Sequence, residues 1–340
     1  MSSAPTRVGL MGFGRIGRNV FRQLAVHPSI EVAAICDIAD PEALVYLLKY
    51  DTVFRRFPKP VELRDGNLVF DGRSIPMVDG KDPGDVDWAA LGVDVVVQAT
   101  RKHRSRDLLM KHIEAGAKRV VLASVPEDPE EIETLIMGVN DDTLDPGDRI
   151  IALGSNTSNA LAPVLKVLDA EFGVEKAMYT VVHAFTNEAR LADVPGDGLR
   201  TSRSAAENII PAETNSAGII EGILPELAGK LSGIALNVPV ADGSNVDLVA
   251  ILSKPATPAQ VNAAIAAAAT DSTVMEYTED PIVSSDIIGS SYSAVFDGLA
   301  TLVMGDTMLK AVVWFDNGWG YAARVVETIA KMASFEEVSA

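Results

Sequence analysis

The chain has 340 residues, 48% of them hydrophobic, and a formal net charge of −18. That length exceeds one ordinary core and predicts two domains, while the acidic balance argues against nucleic-acid or anionic-membrane partners. One cysteine excludes an internal disulfide, and four scattered histidines beside it argue against a metal site. No apolar run nears the roughly 20 residues of a membrane span, and the start MSSAPTRVGLMG lacks a secretory-signal pattern, so a cytoplasmic protein is expected.

Arg7 to Met11 reads as a short apolar strand, followed by Gly12-Phe13-Gly14-Arg15-Ile16-Gly17, a helix over RNVFRQLAVHP and a second strand, EVAAIC, ending at Asp37. Strand, glycine turn, helix, strand and an acid about 20 positions on is the pattern of a dinucleotide-binding unit. Gly12 permits the tight turn, Gly14 lets the backbone approach a pyrophosphate, and Gly17 lets the helix lie close to the sheet. Asp37 is placed to bond the adenosine ribose and to repel a 2′-phosphate, which favours NAD over NADP. Cys36 reads as a small buried strand residue.

A helix is predicted over 41–50, then strands at 61–64, 67–70 and 73–78 around the turns Asp65-Gly66 and Asp71-Gly72. A buried strand (93–98), a helix (106–115) and another strand (119–123) keep the alternation. Between them Thr100-Arg101-Lys102-His103-Arg104-Ser105-Arg106 carries five basic or titratable side chains. This stretch reads equally as an anion site in the cofactor crevice or as a solvated loop leading into a helix.

An apolar strand at Ile150 runs through a turn into a helix just past Asn156. A helix start favours negative charge and often carries a catalytic group. Asn156 also reads simply as the N-cap. The second half then changes character. Strands at 176–184, 234–238, 245–252, 294–296 and 312–315 alternate with helices at 216–227 and 258–269, and a last helix runs to about Met332. Long strands with few helices predict a mixed or antiparallel sheet covered on one face. The fold class is thus α/β, an N-terminal Rossmann domain plus a C-terminal α+β catalytic domain with a mixed sheet.

The stretches GFGRIGR (12–18), LLKYDTVF (47–54), MGVN (137–140), SNALAPVLKVL (158–168), NIIP (208–211), LPEL (224–227), GKLSGIAL (229–236), SSDIIG (284–289) and DNGWGY (316–321) follow one another in family order. On them the chain resembles phosphorylating glyceraldehyde-3-phosphate dehydrogenase over nearly its whole length. The resemblance implies a Rossmann domain over 1–154, a catalytic and oligomerisation domain over 155–315, and a C-terminal helix over 316–340 returning to the first. It also implies a homotetramer in which the 186–208 segment lies near a neighbouring cofactor. For the cofactor it implies contacts from Gly12, Arg15, Ile16, Asp37 and Thr100, with Asn317 at the nicotinamide carboxamide and Tyr321 beside the ring.

The departures concern the chemistry. Asn156 stands where the family has its catalytic cysteine, and an amide cannot serve as that nucleophile. His183, in HAFT, matches the family's acid–base histidine. Ser155, Thr157, Thr186 and Thr214 match positions whose hydroxyls and amides bind phosphate. The two arginines of those pockets correspond to Thr201 and Asn237. Each lost charge-assisted contact costs about 1.5–3 kcal/mol of phosphate binding. Glu188 stands for an acid beside Thr186, Asn215 for a glycine, and Arg101 for the glycine after Thr100, where with Arg104 it offers a different anion site. The leading expectation is an NAD-dependent oxidoreductase that works without a covalent intermediate on a small polar aldehyde or alcohol. His183 is its acid–base and Asn156 its carbonyl-polarising donor. The alternatives are a catalytically silent NAD-binding homologue and glyceraldehyde-3-phosphate dehydrogenase activity by a thiol-independent route.

Overall fold

A computed structural model describes residues 4–187, 189–196 and 198–338; Glu188 and Asp197 lie outside the described residues. The chain divides into two compact units, one of residues 1–135, 142–154 and 322–340, the other of residues 136–141 and 155–321. The expected boundaries shift in two places. Residues 136–141 join the second unit, and so do residues 316–321.

In the first unit the elements are β1 (Thr6–Met11), α1 (Arg15–Leu24), β2 (Ile30–Cys36), α2 (Pro41–Lys49), the short ladder β3 (Tyr50–Asp51) and β4 (Arg55–Arg56), β5 (Val61–Arg64), β6 (Asn67–Phe70), β7 (Arg73–Val78), β8 (Val95–Gln98), α3 (Arg106–Glu114), β9 (Arg119–Leu122) and β10 (Ile150–Ala152). The sheet order is β10-β9-β8-β1-β2-β7-β6-β5, parallel from β10 to β7 and antiparallel across the last two pairs. The order reverses direction between β1 and β8. The glycine turn after β1 and the basic loop after β8 therefore leave neighbouring strands at the switch point, where doubly wound sheets bind ligands.

Two predicted helices differ at their ends. The first starts at Arg15 rather than Arg18, because Gly14 takes the cap position in extended conformation (φ −70°, ψ −157°). The second ends at Lys49, since Tyr50 turns extended and pairs with Arg56. The buried apolar faces of β2, β8 and β9 pack with Trp88, Leu109 and Ile113 into one core.

The second unit holds α4 (Asn156–Phe172), β11 (Val174–Ala184), β12 (Ile210–Ala212), α5 (Ser216–Ile223), β13 (Leu231–Val238), β14 (Ser244–Leu252), α6 (Pro258–Ala269), β15 (Met275–Thr278), β16 (Ala294–Asp297), β17 (Leu302–Met304), β18 (Met308–Phe315) and the start of α7 (Trp319–Val338). Its sheet runs β12-β13-β11-β14-β18-β16-β15, with β17 on β18. β11 pairs parallel with β13 and antiparallel with β14, so the sheet is mixed. β14 alternates strictly between buried and half-buried residues, the mark of a sheet covered on one face. Leu161, Val164, Leu165 and Leu168 of α4 and Val261 and Ile265 of α6 supply the covering side of the core.

The predicted helix over 216–227 is broken. It stops at Ile223, and Pro225–Leu227 form a separate 3-10 turn. Pro225 lacks the N–H a continuing helix needs and drives Leu224 out of helical conformation. The strands at 210–212, 275–278 and 302–304 are too short to carry a sequence period. No described helix is long and apolar enough to cross a membrane.

Candidate active site and cofactor cradle

In the first unit the glycine turn is built from backbone. Gly12 has φ +100°, and a Cβ there would lie 2.7 Å from Thr100 Cγ2, so the loops after β1 and β8 touch. A Cβ on Gly17 would lie 2.1 Å from the Gly12 carbonyl oxygen, which fixes how closely α1 approaches the turn. Gly14 caps α1 without a side chain, and a Cβ on it would meet nothing within 4 Å. No side chain caps the start of α1, the arrangement that suits a pyrophosphate at a helix N-terminus. Arg15 and Ile16 form the first turn of that helix.

Asp37 closes the turn. One carboxylate oxygen accepts from Phe13 N at 2.7 Å, the other from Ala39 N at 2.9 Å. Each oxygen keeps a further acceptor direction, enough for a ribose hydroxyl. In the loop after β8, Thr100 donates to Lys102 O at 3.1 Å and Arg101 is exposed. Arg104 donates to Val125 O at 3.3 Å, and His103 adopts a left-handed φ of 59°. Cys36 is fully buried, its thiol donating to Gly80 O at 3.4 Å. Burial, then the nearby carboxylates of Asp37, Asp79 and Asp85, pushes that thiol up to about 12.

In the second unit the site gathers at the start of α4. Ser155, not Asn156, is the N-cap: its hydroxyl accepts from Ser158 N at 3.0 Å, and the Ser158 hydroxyl accepts from Ser155 N. Asn156 is therefore the first helical residue. Its side-chain oxygen accepts from Thr157 N at 2.8 Å, which leaves its amide hydrogens pointing away from the helix. They reach the Asn317 carbonyl at 3.1 Å and His183 Nε2 at 3.4 Å.

His183 stands near the end of β11, half-buried, its ring edge-to-face with Phe315 at 6.1 Å. Its Nδ1 lies 2.5 Å from the Ala184 carbonyl. A carbonyl only accepts, so Nδ1 carries the proton in the neutral ring and Nε2 presents its lone pair to the Asn156 amide. The contact between Asn156 and His183 is long, hence weak and easily exchanged.

Beside this pair runs a row of hydroxyls. Ser155 Oγ is 3.0 Å from Ser216 Oγ, which is 3.0 Å from Thr214 Oγ1. The row joins the starts of α4 and α5. Thr157 is buried in the first turn of α4, and Asn237 on β13 is in register with His183 on β11. Thr186 is half-buried just past β11. Thr201 is exposed and donates to Gly198 O at 3.1 Å within the 186–208 segment.

Asn317 is held from three sides. Its N–H donates to Asp242, its side-chain oxygen accepts from Ser244 Oγ at 3.2 Å, and its carbonyl takes the Asn156 amide. Ser244 also receives the Ala184 N–H at 2.9 Å, tying the end of β11 to the Asn317 turn. Asp316 accepts from Gly318 N and Trp319 N and so shapes that turn. Tyr321 is buried, which pushes its phenol far above the usual range. Ser216, Asp242 and Ser244 are the residues sequence reading missed. Ser216 alone carried a signal, a hydroxyl at a helix start two positions past Thr214.

A switch-point cradle for a dinucleotide, and a histidine with a fixed tautomer beside amide and hydroxyl donors, define a dinucleotide-dependent oxidoreductase of two-unit α/β build. Comparison with known proteins narrows this. Residues 6–106 match the family model for the glyceraldehyde 3-phosphate dehydrogenase NAD binding domain, and residues 155–317 that of its C-terminal domain. The glyceraldehyde-3-phosphate dehydrogenase of Geobacillus stearothermophilus is 45% identical over 331 residues, 96% of this chain and 98% of the relative. Glyceraldehyde-3-phosphate dehydrogenase 2 of Bacillus subtilis is 43% identical over 96% of this chain and 97% of the relative. The Streptomyces coelicolor enzyme is 44% identical over 94% and 96%. This chain belongs to the glyceraldehyde-3-phosphate dehydrogenase family, and NAD is its cofactor.

Proposed function

We propose that this member of the family transfers hydride between NAD and a small polar aldehyde or alcohol without a covalent enzyme intermediate. The observation that carries the proposal is the pairing of His183 Nε2, its lone pair exposed by the Nδ1–Ala184 bond, with the Asn156 amide at 3.4 Å. On the family resemblance, Asn156 holds the place of a catalytic cysteine. The only cysteine in the chain, Cys36, is buried and protonated at neutral pH.

NAD supplies the hydride acceptor or donor at its nicotinamide. The protein's part is acid–base and electrostatic. A carbonyl oxygen takes over the amide hydrogen that Asn156 offers to His183. That frees Nε2 to take a hydroxyl proton during oxidation or, once protonated, to return one during reduction. For a hydrated aldehyde, Nε2 removes one hydroxyl proton as the carbon's hydrogen leaves as hydride, and the product is a carboxylic acid. One preorganised donor at a developing oxyanion is worth about 3–4 kcal/mol.

The hydroxyl row of Ser155, Ser216 and Thr214 supports a substrate bearing hydroxyls or one anionic group, and we propose Thr157, Thr186 and Asn237, the last in register with His183, as further contacts. Arg101 and Arg104 remain proposed contacts for an anion, as does Thr201. The hydroxyl row also favours a second reading, oxidation of glyceraldehyde 3-phosphate itself by the thiol-independent route. We assign Asn317 and Tyr321 to the nicotinamide end, and Gly12, Gly14, Arg15, Ile16, Gly17, Asp37 and Thr100 to the rest of the cofactor. We also propose a homotetramer, which sedimentation at several concentrations tests. The uncovered face of the second sheet, with Met178 and Ile234 exposed, supports assembly.

The test is cofactor turnover by the purified protein. Glyceraldehyde 3-phosphate is offered with and without inorganic phosphate, beside unphosphorylated aldehydes and alcohols. Thiol-independent turnover that needs no inorganic phosphate is expected. A protein that binds NAD, turns over nothing, and gains activity only as Asn156→Cys would be a silent homologue and would overturn the proposal.

A further inference from the structure

Behind the cofactor loop of the first unit lies a buried polar chain that the reaction does not use. Trp88, His112 and Gln98 are each fully buried. Trp88 Nε1 donates to His112 Nδ1 at 2.9 Å, and His112 Nε2 lies 2.8 Å from Gln98 Oε1. Gln98 Nε2 donates to Thr100 Oγ1 at 2.6 Å and to Lys102 O at 3.3 Å, and Thr100 Oγ1 donates to Lys102 O at 3.1 Å.

The direction of every bond follows from the first. An indole N–H donates and cannot accept, so His112 Nδ1 must be bare. The proton of the neutral ring is then on Nε2 and goes to Gln98 Oε1. That sets the Gln98 amide with its NH2 group toward the loop. Thr100 Oγ1 accepts from it and donates its own hydrogen to Lys102 O. Burial keeps the histidine neutral, as the chain requires. The ring of Trp88 fits because β1 offers Gly9 opposite it: a Cβ there would lie 2.7 Å from the indole.

We infer that Trp88, His112 and Gln98 form a positioning relay that fixes Thr100 and the 100–102 backbone for the cofactor. The inference rests on the reading of Thr100 as a cofactor contact, supported by its van der Waals packing on Gly12 in the glycine turn. The hydroxyl of Thr100 is held with its donor directed inward, so it meets the adenosine-side ribose as an acceptor. Arg101, next in sequence, is aimed by the same carbonyl-anchored turn.

Gln98→Glu tests this with almost no change of shape, measured at pH 9 so that the new carboxyl is ionised. The carboxylate then cannot donate, so the Thr100 hydroxyl must turn toward it and release Lys102 O. NAD affinity is measured by calorimetry for the parent protein, Gln98→Glu, Thr100→Val and the double variant, with circular dichroism as the fold check. Each single variant is expected to bind NAD about five- to tenfold more weakly, the scale of one hydrogen bond. The double variant is expected to bind no more weakly than the weaker single one, because both changes act through one hydroxyl. A merely structural Gln98 would give additive losses, and parent-like affinity in Gln98→Glu or additivity in the double variant overturns the relay. Unchanged affinity in Thr100→Val overturns the Thr100 reading instead. If Gln98→Glu does not fold, Trp88→Phe breaks the far end of the relay and must show the same non-additivity with Thr100→Val.

Discussion

The two units build their functional ends from different materials. In the first, the cradle is backbone: a turn at Gly12, a helix start left open by Gly14, and a packing contact that only Gly17 allows. In the second, the site is made of side chains, an amide, an imidazole and hydroxyls from α4, β11, α5 and the turn before α7. A backbone site tolerates no side chain and so leaves glycines at fixed spacing. A side-chain site can exchange its groups while the scaffold persists. We propose that Asn156 is such an exchange, in a chain 45% identical to one of its relatives.

The largest effect expected from perturbing this contrast is at His183. His183→Ala should lower turnover about 10²–10⁴-fold, the usual scale for losing an acid–base group. NAD affinity, measured by calorimetry, should hardly change. An equal loss in both would mean that the two ends do not divide the work in this way.

Acid should act on the first unit through His112. Burial, and secondarily the charge of His103, lowers its pKa from 6.5 to about 4. As pH falls the unfolded chain takes up the proton first. The contribution is complete above pH 6.5, is lost between 6.5 and 4, and changes no further below. The loss approaches about 3 kcal/mol. Urea midpoints at pH 7, 5.5 and 4.5 should show this slope in the parent and a shallower one in His112→Gln; parallel slopes would remove His112 from the account.

Gly17→Ala puts a Cβ against the Gly12 carbonyl and should cost about 1–3 kcal/mol of stability, with NAD affinity falling too. Urea denaturation and calorimetry measure the two losses, and parent-like values for both would show that the turn yields freely. The smallest effect is at Cys36. With its thiol pushed up to about 12, it should resist alkylation at pH 8 in the folded protein. Cys36→Ala should leave turnover unchanged, whereas a drop would bring the thiol back into the chemistry.

Much of the fold was legible because periodicity and punctuation agree with it. The strands at 61–64, 67–70 and 73–78 and the helix at 258–269 follow directly from alternation, Asp-Gly turns and a Thr-Pro start. The short strands at 210–212, 275–278 and 302–304 escaped, since three or four residues carry no period and exist only by pairing with a neighbour. At the site, a helix start pointed to Asn156, and the family resemblance pointed to His183 and Thr214. Which atom faces which was invisible, because Asn156 meets His183 and Asn317 across 27 and 161 positions of chain.

By itself the sequence determined the dinucleotide unit, since a φ of +100° at Gly12 favours glycine and a Cβ at Gly17 would lie 2.1 Å from a carbonyl oxygen, and composition alone limited the chain to one cysteine. Tertiary structure decided the rest. It gave the cap to Ser155, set the His183 tautomer through a carbonyl bond, and tied the loop after β8 through Gln98 to His112 and Trp88. Those outcomes depend on hydrogen-bond direction between residues far apart in the chain, and direction exists only once the partners have been brought together.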